Sequence, residues 1–144
     1  MKTQDFTCSI TAQVTADEAM SAISHVELWW TKNFKGSAKQ LNDVFTVTFG
    51  ETFVDFKITE LIPDAKVVWT VTNCNLHWQN NKTEWNGTKV VYEISSANGD
   101  TTINFTHQGL QPQVECYANC SRGWTEHITE SLLKLLTEGV GEPV

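Results

Sequence analysis

Hydrophobic and polar residues alternate along six segments of the chain, and this pattern predicts six β-strands that each bury one face. The clearest pair flanks the turn Asn98-Gly99-Asp100, whose sequence is typical of a hairpin between antiparallel strands. The alternating residues of the predicted strands fall at 6–14, 45–49, 54–58, 67–71, 88–94 and 103–107. We therefore expect an antiparallel sheet with one apolar face.

Two short helices are predicted between the first and second strands. Thr15 and Glu18 have the spacing of a capping box, in which each side chain accepts a hydrogen bond from the other residue's backbone N–H. The helix that follows is expected to end near Ser24 or His25. The segment 26–34, with the sequence VELWWTKNF, is predicted to form the second helical turn.

A single long helix is predicted from Pro112 to about Thr137. Bulky or apolar residues recur there every three or four positions, and Gly139 and Pro143 follow as stop signals. The sheet and this helix each carry an apolar surface, which they bury against each other in an α+β fold. A curved sheet around one helix closes its interior only where bulky side chains fill it, so we expect a ligand cavity between sheet and helix where the filling is incomplete.

Composition and charge limit the classes of function. The 144 residues carry 10 basic and 17 acidic side chains, a net charge of -7, and no dense basic cluster, so nucleic-acid binding is not expected. No apolar run approaches the roughly 20 residues that span a bilayer, and the N-terminus shows no signal-peptide pattern. We expect one cytoplasmic domain over residues 1–144 that does not insert into membranes.

The four cysteines are expected to be free, packed thiols in a reducing compartment. Cys116 and Cys120 lie four residues apart and share a helix face, so a disulfide or a redox role is an alternative for this pair. With His107 or Glu115 they could also supply zinc ligands, but the spacing is a weak signal. No metal is therefore assigned.

Nine residues on the inward faces of the predicted strands and long helix are the candidate ligand contacts. They are Phe56, Trp69, Val71, Tyr92, Phe105, His107, Tyr117, Trp124 and Ile128. Ordinary core packing is the alternative for each of them. Several are aromatic with a polar tip, which suits an amphipathic ligand because buried indole and phenol groups need hydrogen-bond partners.

His107 has two interpretations. It is either a polar anchor or general base for a ligand, or a structural histidine that bonds the following turn. The sequence shows no nucleophile elbow, phosphate-binding loop, dinucleotide fingerprint or metalloprotease motif. No catalytic residue and no cofactor is assigned, and a non-enzymatic role is favoured.

Four further positions draw attention. Gly123 lies inside the predicted long helix, where glycine costs about 1 kcal/mol relative to alanine, so we expect a close approach of the sheet or of a ligand, or else a tolerated kink. One of Trp29 and Trp30 is expected to gate the mouth of the cavity, and the alternative is a hydrophobic plug under the two short helices. Trp78 lies in a polar loop and either covers the same opening or marks a dimer contact.

Longer stretches of the sequence resemble a known superfamily. They are LWWT at 28–31, FKITELIPDAKVVWTVT at 56–72, EWNGTKVVYEI at 84–94 and THQGLQPQVECYANCSRGWTEHITESLLKLLTEGVGEP at 106–143. They resemble the SRPBCC, START-like or Bet v 1-like superfamily, and within it the branch named after the activator of Hsp-90 ATPase homologue. The resemblance implies a helix-grip fold, in which a curved sheet wraps around a long C-terminal helix and encloses an elongated cavity.

The resemblance implies three alternative functions. The first is non-enzymatic binding of a hydrophobic or amphipathic small molecule, lipid-like or polyketide-like, in the cavity. The second is a cyclase- or aromatase-type enzyme that uses the same cavity. The third is a protein partner, the chaperone from which the branch takes its name, and a homodimer is also open.

Overall fold

The computed structural model describes residues 5–144. In this part of the chain seven strands form one sheet. The strands are β1 (Phe6–Ala12), β2 (Phe34–Gly36), β3 (Val44–Phe49), β4 (Thr52–Ile62), β5 (Lys66–Asn75), β6 (Lys89–Ala97) and β7 (Asp100–Gln108). The α+β class and the antiparallel sheet are confirmed.

The helices occupy two regions. α1 (Ala16–Ser24) and α2 (Val26–Trp29) lie between β1 and β2, which confirms the two predicted short helices. The C-terminal helix consists of α3 (Tyr117–Glu126), a π-helical segment (His127–Leu132) and α4 (Leu133–Glu138). None of the described helices is long and apolar enough to cross a membrane.

The sheet has the order β1-β7-β6-β5-β4-β3-β2, and all neighbouring strands are antiparallel. β1 and β2 form opposite edges, because α1 and α2 carry the chain from one edge to the other. The pairing of β4 with β5 shifts register between Asp55 and Phe56 and again between Ile58 and Glu60. Shifts of this kind bend a strand and increase its twist, so the sheet curves around the C-terminal helix.

The prediction of six strands is wrong by one. The additional strand, β2, has three residues and begins where the predicted second helical turn ends. Three residues are too few to show an alternating pattern. Gly36 permits the pairing of β2 with β3, because a Cβ atom there would lie 2.3 Å from the carbonyl oxygen of Val44.

The predicted start of the C-terminal helix at Pro112 is also wrong, since the helix begins at Tyr117. A helix from Pro112 would require the N–H of Cys116 to bond to the carbonyl of Pro112. That N–H instead donates to the Glu84 carboxylate at 3.0 Å. A residue distant in sequence thus accepts the hydrogen bond that the first helical turn would need.

The predicted capping box at the start of α1 is confirmed. The Thr15 hydroxyl accepts from the Glu18 N–H at 3.0 Å, and the Glu18 carboxylate accepts from the Thr15 N–H at 3.1 Å. These bonds satisfy backbone donors that a helix start otherwise leaves open. α1 ends at Ser24, as its sequence predicts.

After the C-terminal helix the chain folds back and fixes the end of α2. The Ser131 hydroxyl, in the π-helical segment, donates to the Trp29 carbonyl at 2.6 Å and accepts from the Glu142 N–H at 2.7 Å. The Val144 N–H donates to the Trp30 carbonyl at 2.9 Å. These bonds hold the two adjacent tryptophans against the C-terminal helix.

Candidate functional site

An aromatic cavity opens between the C-terminal helix, the turn from β3 to β4 and the loop from β5 to β6. Its volume is about 310 Å³. The lining residues are Trp30, Phe49, Thr52, Trp78, Trp85, Asn119, Cys120, Gly123, Trp124 and His127. We call this cavity the aromatic pocket.

Three tryptophans from distant parts of the sequence pack together in the pocket wall. The ring centroid of Trp124, in α3, lies 4.8 Å from that of Trp30 and 5.9 Å from that of Trp85. All three side chains are buried, whereas Trp78 is 50% exposed and lies where the pocket meets solvent. The pocket is therefore walled by rigid rings and has a tryptophan at its mouth.

A chain of hydrogen bonds behind the wall orients Trp124. Its Nε1 donates to Nδ1 of His107 at 3.0 Å. An indole N–H can only donate, so Nδ1 is the acceptor and the proton of the neutral imidazole lies on Nε2. Nε2 then donates to the Thr88 hydroxyl at 2.9 Å, and that hydroxyl donates to the Trp85 carbonyl at 2.6 Å.

His107 is neutral and has no free ring nitrogen. It is completely buried at the end of β7, and burial lowers its pKa from 6.5 to about 3. Both nitrogens are already bonded, one to Trp124 and one to Thr88. In this geometry the ring positions the pocket wall, and it offers no atom for a proton transfer to a ligand.

Two glutamates clamp the two sides of the pocket to each other. The Glu84 carboxylate, in the β5–β6 loop, accepts from the N–H groups of Glu115 and Cys116 at 2.9 and 3.0 Å. The Glu115 carboxylate reaches back and accepts from the N–H groups of Asn80 and Asn81, both at 2.9 Å. We call these four bonds the reciprocal clamp.

The reciprocal clamp fixes the distance between the loop and the helix. The loop carries Trp78 and Trp85, and the helix that begins just after Glu115 carries Trp124. Hydrogen bonds from Asn80 and Asn81 lower the pKa of the Glu115 carboxyl below its usual 4.5, so the carboxylate that accepts them is favoured. The loop lacks regular structure, yet the reciprocal clamp holds it against the start of the helix.

Gly123 faces the aromatic pocket from α3. A Cβ atom built on it meets no atom within 4 Å. The predicted close approach of the sheet at this position is therefore wrong, and the missing side chain keeps pocket space open.

The nine predicted ligand contacts divide into three groups. Trp124 lines the aromatic pocket. Tyr117 is half-buried at the start of α3 and packs on the core outside the pocket. The remaining seven are buried in the core between sheet and helix: Phe56, Trp69, Val71, Tyr92, Phe105, His107 and Ile128. Their part in ligand binding stays a prediction.

Two of these core residues carry polar atoms without a hydrogen bond among the described residues. They are Nε1 of Trp69 and the hydroxyl of Tyr92. The two rings are neighbours, with centroids 4.8 Å apart. Burial raises the pKa of Tyr92 well above its usual 10, so its hydroxyl stays protonated. The expectation of polar-tipped aromatics in the interior is thus realised, deeper than the pocket.

Sequence patterns give only part of the pocket. Trp78 and Gly123 were flagged by their unusual contexts, and the tryptophan pair was expected to plug or gate a cavity. In the structure Trp29 is buried in the core and Trp30 lines the pocket. Trp85 lies in a loop without periodicity, so the aromatic content of that loop was the available signal for a pocket residue. Phe49 belonged to a predicted strand and Cys120 to the cysteine pair, but neither was predicted to line a pocket, and Thr52, Asn119 and His127 carried no distinguishing pattern.

The cysteines only partly follow the expectation of free thiols. Cys8 and Cys74 are free. Cys116 and Cys120 lie side by side with their Cα atoms 5.5 Å apart, which favours the disulfide alternative over free thiols for this pair. One helical turn brings the two positions within disulfide range. The described residues contain no group of three or more His, Cys, Asp or Glu side chains placed to hold a metal ion.

A second surface groove, of about 380 Å³, runs between α1 and α4. Its wall mixes aliphatic residues such as Leu28 and Leu135 with the acidic Asp17 and Glu18. It contains no tryptophan, tyrosine or phenylalanine. The aromatic pocket is smaller but offers far more continuous apolar surface, so it is the stronger candidate site.

Comparisons with known proteins identify relatives of this chain. The family model for Activator of Hsp90 ATPase homolog 1-like protein matches residues 18–137. The solution structure of the Aha1 dimer from Colwellia psychrerythraea is similar with a TM-score of 0.78 and 23% identity, over 96% of this chain and 99% of that one. No protein of curated function matches the sequence.

Two further structures share the fold. Protein SSP2350 from Staphylococcus saprophyticus has a TM-score of 0.72 and 13% identity, over 96% of both chains. DynU16, a protein of the dynemicin biosynthetic locus, has a TM-score of 0.65 and 15% identity, over 96% of this chain and 49% of that one. At these identities the likeness concerns the fold.

Proposed function

This chain belongs to the Activator of Hsp90 ATPase homolog 1-like family, and on that premise we propose that it binds a hydrophobic or amphipathic small molecule in the aromatic pocket. One observation carries the proposal. A cavity of about 310 Å³ lies open between four tryptophans, and it is lined by Gly123, where a Cβ atom would meet no other atom within 4 Å. A folded protein rarely leaves so much aromatic surface unfilled by its own side chains.

The pocket wall supports binding because it is held in place before a ligand arrives. The hydrogen bond from Trp124 to His107 orients one ring, and the reciprocal clamp holds the loop that carries Trp85. A preorganised wall reduces the ordering that binding would otherwise require. Contacts between aromatic rings add about 0.5–1.5 kcal/mol each beyond area burial.

A pocket-filling variant tests this proposal. Gly123→Leu adds an isobutyl group at a position that lines the pocket, where a Cβ atom would meet no other atom within 4 Å. We expect the wild-type protein to bind the neutral two-ring dye 6-propionyl-2-(dimethylamino)naphthalene at a 1:1 ratio, measured by dye fluorescence. Binding by Gly123→Leu should be at least about tenfold weaker, a loss of about 1.4 kcal/mol in binding free energy.

Ala118→Leu is the matched control, because Ala118 is exposed on the same helix and does not line the pocket. It should bind the dye like the wild type. Circular dichroism establishes that both variants are folded. Absence of dye binding by the wild type, or equal binding by Gly123→Leu, would refute the proposal.

The other functions implied by the resemblance stay predictions. A cyclase- or aromatase-type reaction needs a proton-transferring group that faces the ligand, and His107 has both nitrogens engaged. His127 lines the pocket, and burial lowers its pKa below 6.5, so it is neutral near pH 7. A chaperone partner and a cytoplasmic location rest on the sequence alone.

The predicted homodimer has support from one relative. The protein from Colwellia psychrerythraea is a dimer in solution, and it covers the same fold over nearly its whole length. We propose the same state for this chain. Sedimentation equilibrium distinguishes a dimer from the 16.2 kDa monomer.

A further inference from the structure

The wall of the aromatic pocket offers ring surface but no positive charge. Six of its ten lining residues are tryptophan, phenylalanine or histidine. Among the described residues no lysine or arginine lines it, and His127 is neutral near pH 7 because burial lowers its pKa. A carboxylate placed there would lose water without gaining a cationic partner, which is strongly unfavourable.

The surroundings of the pocket carry more negative than positive charge. Glu84 and Glu115 lie in the segments beside it, Glu126 lies on the helix, and Glu51, on the turn from β3 to β4, has its carboxylate 2.6 Å from Nε2 of His77. Arg122 is exposed, and its guanidinium donates to the Asn119 side-chain oxygen at 3.0 Å, outside the lining. Lys82 donates to backbone carbonyls of its own loop. The field at the pocket therefore disfavours anions, and indole rings attract cations.

The shape and chemistry of the wall disfavour flexible chains. The lining contains no leucine, isoleucine, valine or methionine, the side chains that adapt to an acyl chain. Its volume of about 310 Å³ lies at the small end of ligand sites, which span roughly 300–1,000 Å³. Rigid indole walls around a small volume favour a flat ring, which they contact by stacking and edge-to-face packing.

We infer that the pocket selects a flat aromatic molecule of one or two rings that carries no negative charge, and that it rejects anionic amphiphiles and acyl chains. This inference rests on the proposed binding function and narrows its ligand class. Neutral ring compounds bind through the indole faces. Cationic ones bind through the same faces with an added attraction to the rings.

Four probes test the inference on the full chain at pH 7 by isothermal titration calorimetry. Three share the naphthalene ring and differ in charge: 2-naphthylmethanol, 2-naphthylmethylamine and 2-naphthoate. The fourth, 1-decanol, is neutral and carries a flexible alkyl chain like that of an acyl group. We expect the neutral and cationic naphthalenes to bind, and naphthoate and decanol to bind at least about tenfold more weakly.

A charge variant sharpens the test. Asn119→Lys places a cation on the pocket wall, at an exposed helix position where folding should be unaffected. It should tighten naphthoate binding and weaken naphthylmethylamine binding, each by about tenfold. Ala118→Lys adds the same charge one residue away, outside the lining, and should leave the order of the probes unchanged.

The outcomes separate this inference from the proposed function. Naphthoate binding as tightly as naphthylmethanol would overturn the charge selection, and decanol binding as tightly would overturn the selection for flat rings. In either case the pocket would still bind small molecules. Failure of all four probes and of the neutral dye would instead refute the proposed function itself.

Discussion

Nε1 of Trp124, on the C-terminal helix, donates a 3.0 Å hydrogen bond to Nδ1 of His107, which is buried at the end of β7. The bond joins the helix to the sheet directly behind the aromatic pocket. It also fixes the tautomer of the imidazole, because the indole N–H cannot accept. The histidine thereby acts on the pocket through Trp124 and is a positioning residue.

Replacing this histidine should destabilise the fold. In His107→Phe the Trp124 N–H is buried without an acceptor, so we expect the free energy of unfolding to fall by about 1–3 kcal/mol. Urea denaturation measures the change. In the double variant with Trp124→Phe neither partner is left unpaired. Its loss of unfolding free energy should therefore be smaller than the sum of the losses in the two single variants. Strictly additive losses would show that the hydrogen bond does not couple the two residues.

The same residue should make stability depend on pH. Burial holds the pKa of His107 near 3, whereas an exposed histidine titrates near 6.5. Between these values the unfolded chain takes up a proton that the folded chain refuses, so stability decreases as the pH falls. The slope approaches about 1.4 kcal/mol per pH unit.

Unfolding free energies of the wild type and His107→Phe, measured from about pH 7 to about pH 5, test this effect. The variant should lose stability less steeply on acidification, since it lacks the titrating group. His127 and the carboxyl groups are present in both proteins, so their contributions cancel in the comparison. Parallel curves would contradict a lowered pKa at His107.

Gly123→Ala should stabilise the protein by about 1 kcal/mol, because alanine is the better helix former. The added Cβ meets no atom within 4 Å. Gly141→Ala is the opposite case, since its Cβ would lie 2.3 Å from the Leu28 carbonyl oxygen, and it should be destabilising. Thermal unfolding of both variants is the measurement. A destabilised Gly123→Ala would show that the helix needs glycine for its backbone.

The reciprocal clamp should be visible in amide hydrogen exchange. Glu115→Gln weakens the acceptors of the Asn80 and Asn81 N–H groups, so these two amides should exchange faster than in the wild type. Glu130→Gln, an exposed change on the C-terminal helix, should leave them unaffected.

Acidification should loosen the same contact. Folding lowers the Glu115 pKa, so the stabilisation is present above the usual 4.5 and is lost as the pH falls through the pKa of the folded state. Unchanged exchange at Asn80 and Asn81 would mean that the clamp does not hold the loop.

Most strands and both short helices could be predicted because their signals are local. Alternation over five or more residues, the turn at 98–100 and the Thr15 capping box each depend on neighbours in sequence. β2 was missed because three residues show no period, and its pairing depends on the close approach that Gly36 allows. The start of the C-terminal helix was misplaced because Glu84 competes for its first N–H groups from a distant loop.

The site was harder to predict for the same physical reason. Inward-facing positions on strands identify buried residues, and in a well-packed core those residues fill space and leave none open. The open volume lies at the edge of that core, where Trp85 and Trp78 arrive from an irregular loop. The helical spacing therefore identified Trp124, whereas no periodic pattern identified the two loop tryptophans. The local hints were Gly123, an absent side chain inside a helix, and Trp78, a tryptophan in a polar loop.

The reciprocal clamp has a consequence for how fast a ligand exchanges. Four hydrogen bonds must break together before the loop can separate from the helix, whereas an exposed side chain reorients in picoseconds to nanoseconds. Trp78 is the half-exposed ring at the mouth, so its rotation is the fast route in and out. For the ligand proposed above, we therefore expect the rotation of the Trp78 side chain, and not the opening of the loop, to set the residence time.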